Sequence, residues 1–170
     1  YSVTNTCGSA TALWPMTVNA LPNAGTIAIG GALCPGRIVS LSGSTAGGTW
    51  SGGTTGIATI ASSGSITCIA PGTTTITYTV GNSCGTDAVV LSVTVNTPAD
   101  AGRIFGENSI CPADSSALVT TGAIGGVWLS DAPGIVSVRP NGVVTGNTPG
   151  SATIWYIVAS ACGADTATWV

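Results

Sequence analysis

The eight residues Thr73, Thr74, Thr75, Ile76, Thr77, Tyr78, Thr79 and Val80 alternate without a break, placing Ile76, Tyr78 and Val80 on one face and threonine on the other. Strict alternation of this kind is the pattern of a β-strand with one buried face. Residues 88–95 repeat it, with Val89, Leu91, Val93 and Val95 sharing a parity. Between such runs stand turn pairs: Gly47-Gly48, Gly52-Gly53, Ser63-Gly64, Pro71-Gly72, Asn141-Gly142 and Pro149-Gly150. Glycine supplies positive φ in such turns, and proline presets the preceding bend. No stretch carries the period of a long amphipathic helix, so the fold is expected to be all-β.

The end of this pattern recurs along the chain. YSVTNTCG at 1–8 returns as YTVGNSCG at 78–85 and as YIVASACG at 156–163, at intervals of 77 and 78 residues. Ala24-Gly25 returns as Ala101-Gly102, Leu33-Cys34-Pro35 as Ile110-Cys111-Pro112, and Trp50 as Trp128. The chain therefore divides into a partial repeat (1–23, the last two strands of a unit), a first repeat (24–100) and a second (101–170). Units of about 75 to 80 residues built from short strands predict tandem β-sandwiches. The stretches 19–23 and 96–100 join them, and the proline in each predicts stiff joints.

Composition narrows the function. There is no His and no Lys, with three Arg against six Asp or Glu. Nothing clusters to neutralise phosphate, which argues against nucleic acid as a partner. Imidazole-based triads cannot be built from this chain, and the commonest zinc ligand is missing. Apolar runs are soon broken by Ser or Thr, so no transmembrane segment is expected despite a mean hydropathy of +0.52.

Each full repeat has one Cys near its first strand and one near its penultimate strand, Cys34 with Cys84 and Cys111 with Cys162, separated by 50 and 51 residues. These spacings suggest a staple between the two sheets of each sandwich, adding roughly 4 kcal/mol by chain entropy. An oxidising, extracellular setting follows. Cys7 and Cys68 have no such partner: either they pair with each other, within or between subunits, or Cys7 is left over from a preceding repeat.

Candidate chemistry is thin. Gly81 to Gly85 satisfies G-x-S-x-G, but without His and between two strands it reads as a tight turn. Asp87, Asp100, Glu107, Asp114, Asp131 and Asp165 are scattered at turns and strand ends, with no calcium-loop spacing. Turn capping is the expected role, including for Asp100 at the joint. Trp50 and Trp128 are expected in the cores against the bridges, and Trp14 and Trp169, which share a repeat position with Leu91, as packing. No catalytic, metal or cofactor site is expected.

The segment from Trp50-Ser51 through Ile57 to Ile60, Ser63 to Thr67 and Pro71 to Tyr78 resembles the bacterial Ig-like domain of group 2, in which the same motifs stand in the same order. The second copy matches through Trp128, Ile135 to Val138, Gly142 to Gly146 and Gly150 to Ile154. The paired cysteines and Cys68 depart from the common pattern. The resemblance implies tandem Ig-like sandwiches on a bacterial surface, in adhesins, stalks, surface layers or filaments, with no catalytic residues.

The copies differ where outward residues are expected. Thr49, Ser51, Thr77 and Thr79 of the first repeat become Val127, Leu129, Trp155 and Ile157 in the second. An apolar outer face of this kind calls for a partner, unless the register is reversed or a loop covers it. The reading is a non-enzymatic subunit of an extracellular bacterial filament or surface stalk, self-associating through strand and sheet contacts. Two others compete: an adhesin or carbohydrate-binding module meeting a surface glycan through Trp155, and an accessory domain of a secreted enzyme.

Overall fold

The structure, a computed structural model, describes residues 1–170 and contains seventeen strands and no helix. A short hairpin comes first, β1 (Ser2–Asn5) with β2 (Gly8–Thr11). The first repeat holds β3 (Ile27–Ile29), β4 (Ile38–Gly43), β5 (Thr49–Thr54), β6 (Ala58–Ile60), β7 (Ser65–Cys68), β8 (Gly72–Asn82) and β9 (Gly85–Val95). The second holds β10 (Ile104–Phe105), β11 (Ser115–Ala117), β12 (Val119–Thr120), β13 (Val127–Ser130), β14 (Val136–Val138), β15 (Val143–Gly146), β16 (Ile154–Ser160) and β17 (Gly163–Trp169).

Alternation does what the sequence predicts. On β8, Ile76, Tyr78 and Val80 are buried while Thr75, Thr77 and Thr79 are not. The same parity on β16 buries Ile154, Tyr156 and Val158. Two large cores result, and in the first repeat Ala24, Tyr78 and Val80 form a third, smaller cluster. Of the large cores, one gathers Leu33, Leu41, Ala58, Ile66, Ile76, Val93 and Val95 among others, the second Leu118, Trp128, Val144, Ile154 and Tyr156 among others.

The strands of the first repeat run on as one curled sheet, in the order β3-β4-β7-β6-β5-β8-β9, where two separate layers were expected. The link is β5. Its residues Thr49 to Gly52 pair with β8, and Gly53 and Thr54 pair with β6. Gly52 and Gly53 have φ of 98° and 86°, the left-handed region that lets a strand turn a corner between layers. At the matching positions the second repeat has Ser130 and Asp131, where β13 ends, and its strands fall into three separate sheets.

A tyrosine clasp secures each repeat. The Tyr78 hydroxyl donates to the Thr45 carbonyl and accepts from the Gly48 N–H at 2.8 Å. Tyr156 repeats this with Ala123 and Gly126, at 2.7 and 2.9 Å. A Cβ at Gly48 would lie 2.3 Å from the Tyr78 ring, so only glycine lets the loop close over it. Trp50 and Trp128 stack on these tyrosines at centroid distances of 4.5 and 4.7 Å. Their aromatic partner is therefore the clasp tyrosine, and the bridge lies elsewhere.

Candidate assembly surface and the joint between repeats

β13 lies antiparallel to β16, with Val127 opposite Ile157 and Leu129 opposite Trp155. All four point away from the core, because Trp128 and Tyr156 between them point into it. Val127 is 58% exposed and Leu129 44%, whereas Trp155 and Ile157 are partly buried. The register is the direct one, and the β1–β2 hairpin, exposed at every residue, covers none of this face. In the first repeat the same cross-strand pairs are Thr49 with Thr79 and Ser51 with Thr77.

The single disulfide joins Cys34 to Cys162, with Cα atoms 5.6 Å apart. This corrects the pairing expected from spacing, Cys34 with Cys84 and Cys111 with Cys162. The reason is the hairpin. The Leu33 carbonyl accepts from the Asn96 N–H at the base of β8–β9, whereas Cys84 sits at the tip. Ten residue steps at about 3.3 Å each put the two cysteines roughly 33 Å apart, far beyond the reach of an S–S bond. The hairpin tip of the second repeat reaches back instead. Cys162 Sγ lies 3.5 Å from the Asn96 carbonyl oxygen, so the bridge closes over the linker.

Cys7, Cys68, Cys84 and Cys111 are free thiols. Cys7 and Cys68 are not paired with each other: Cys7 is exposed on the β1–β2 turn, and Cys68 is buried in the first core. Burial pushes the Cys68 thiol up from its ordinary value of 9.0, against the smaller pull of the Cys34 backbone amide and the Arg37 charge.

The carboxylates hold backbone. Asp87 accepts from the Ala24 N–H at 2.7 Å and Asp165 from the Ala101 N–H at 2.8 Å, so each ties the start of a repeat to its last strand. Asp100 caps Gly102 within its own turn, and Asp131 accepts from Thr153. No three Asp, Glu or Cys side chains gather where they would hold a metal ion. Within GNSCG, Asn82 caps the Cys84 amide, the structure of a tight turn. Trp169 packs against the second core as expected, but Trp14 is 88% exposed, which overturns its assignment to packing.

Sequence reasoning missed Asn19 and Asn96, whose carbonyls receive the hairpin tips. Their signal was present: each stands at the same repeat position, as the first residue of a joint stretch that contains a proline. No protein-family model matches the chain, and no curated protein matches it significantly.

Proposed function

We propose that the chain is a non-enzymatic structural subunit of an extracellular bacterial filament or surface stalk. In this reading residues 24–100 and 101–170 are two Ig-like domains of the group 2 type, preceded by the last two strands of a third. The observation that carries it is the outward face of Val127, Leu129, Trp155 and Ile157, present in the second repeat and replaced by Thr and Ser in the first. An uncovered apolar face on one of two like units is a contact surface for another subunit. The disulfide supports an oxidising compartment. No helix is long and apolar enough to cross a membrane.

Negative-stain electron microscopy of native material purified without reductant tests it. Regular filaments are expected, and Trp155→Ser with Ile157→Thr is expected to prevent association while each repeat stays folded. Unchanged oligomer size in that variant removes the interface. The outward edge of the partly buried Trp155 indole also suits a sugar ring, which supports the adhesin reading. In that case Trp155→Ala abolishes glycan binding and leaves assembly intact.

A further inference from the structure

Three cysteines lie at the base of the first repeat. Cys34 and Cys162 form the bridge over the linker, and Cys68, the last residue of β7, lies against the turn that follows Cys34. That turn is strapped to Cys68 on both sides. The Gly36 N–H donates to the Cys68 carbonyl and the Cys68 N–H to the Arg37 carbonyl, each at 2.9 Å, while the Arg37 N–H donates to the Cys34 carbonyl at 3.1 Å. The Cys34 amide also faces the Cys68 thiol. Cys34 and Cys68 are both buried, 7% and 1% exposed.

The second repeat measures how close this brings the two residues. Gly146 stands where Cys68 does, and Cys111, Ala113 and Asp114 strap it with the same hydrogen bonds. A Cβ on Gly146 would lie 3.4 Å from the Cys111 carbonyl carbon. Standard bond lengths then set the two Cα atoms no more than about 6.5 Å apart, inside the roughly 4.4 to 6.8 Å that a disulfide spans. The position of Cys68 is therefore a bridging position toward Cys34. The second repeat has glycine there, and the first has a sulfur.

We propose that Cys68 is a resolving thiol for the Cys34–Cys162 bridge, and that exchange between the two pairings locks and releases the joint between the repeats. The Cys68 thiolate attacks Cys34 Sγ, a Cys34–Cys68 bond forms, the Cys34–Cys162 bond breaks, and Cys162 leaves as a thiolate. Cys68 gives one proton to water and Cys162 takes one up, so the step needs no outside oxidant or reductant. One pairing ties the hairpin tip of the second repeat to the base of the first, across the linker. The other staples the first repeat within itself and frees the tip. Because a single chain suffices, the exchange stands apart from the filament reading.

The surroundings of Cys68 set the pace. It shares its core with Leu33, Ala58 and Ile66, and burial keeps its thiol protonated, so the attacking form is scarce near neutral pH. The charge bearing on it is that of Arg37, which favours the thiolate. The joint thus rests locked. It opens when Cys68 is deprotonated and Cys162, which is partly exposed, is captured on release.

The test uses the full chain carrying Cys7→Ser, Cys84→Ser and Cys111→Ser, all at exposed sites, so that no other thiol can attack. The oxidised protein is held with excess iodoacetamide from about pH 7 to about pH 9. Pepsin digestion in acid, where exchange stops, is followed by mass spectrometry. Expected are alkylation of Cys162 and, in equal amount, a Cys34–Cys68 linked peptide, at a rate rising roughly tenfold per pH unit. Adding Cys68→Ala is expected to slow the alkylation of Cys162 at least tenfold, with circular dichroism reporting an unchanged fold. Should that variant not fold, the linked peptide in its parent decides alone. Cys162 alkylation that persists in Cys68→Ala overturns the inference. So does an intact Cys34–Cys162 bond at every pH, or a Cys34–Cys68 peptide that arises only in urea. A chain isolated with Cys34–Cys68 alone overturns it too, since there is then one pairing and nothing to exchange.

Discussion

In the first repeat β9 runs on to Val95, and Val93 and Val95 close the core. In the second β17 ends at Trp169, and the same wall is a groove. The difference extends to the partner strand. β8 begins at Gly72, but β16 begins only at Ile154, four residues later than its counterpart, because residues 150–153 have no strand to pair with. The main inward devices are kept: the Trp and Tyr stack, the tyrosine clasp and the carboxylate that holds the first residue of the repeat. The copies share a way of folding and differ in the side chains they turn outward, Thr and Ser in the first repeat against Val127, Leu129, Trp155 and Ile157 in the second.

The strongest way to break this comparison is to damage the finished wall. Val95→Asp buries an unpaired carboxylate beside Ile66 and Ile76, and a loss of more than about 4 kcal/mol is expected in chemical denaturation of the first repeat.

Cys162→Ser removes a bond between residues 128 apart. Chain entropy sets its worth near 5 kcal/mol at most, and a loss of about 2 to 5 kcal/mol is expected. Limited proteolysis reads its specific consequence, faster cleavage within residues 96–100. Cys84→Ser, whose thiol is free here, is expected to change stability by less than about 0.5 kcal/mol.

Tyr78→Phe and Tyr156→Phe test whether the inner architecture is truly shared. Each change leaves a backbone N–H and a carbonyl without a partner at a part-buried clasp. Each is expected to cost about 1 to 3 kcal/mol, and the two costs should agree within about 1 kcal/mol. A large disagreement means the repeats are held differently.

Much of this was legible in the residues. The alternation at 73–80, the repeat of Tyr, Cys and Trp, and the outward parity of Val127, Leu129, Trp155 and Ile157 all follow from the two-residue period of a strand. The disulfide was not, since spacing along the chain says nothing of which end of a hairpin a residue occupies. Cys34 at the base and Cys84 at the tip are near in sequence terms and distant in space. The merging of the first repeat into one curled sheet depended on the φ of Gly52 and Gly53, which a sequence announces only as a turn.

The smallest difference between the repeats is Cys68, which occupies the position of Gly146. Its thiol is buried in the first core, and desolvation disfavours the thiolate there. The folded state thus holds the Cys68 proton more tightly than the unfolded chain, whose thiol has its ordinary value of 9.0. The stability this contributes is complete below that value and is lost as the pH rises above it. Wild type and Cys68→Ala should therefore differ in melting temperature by a margin that is constant below about pH 8 and shifts against the wild type toward pH 10. Gly146 has nothing to titrate, so the alkaline loss belongs to the first repeat alone. If the margin is flat across the range, Cys68 is solvated as freely in the folded chain as in the unfolded one, and its place in the core is looser than its burial implies.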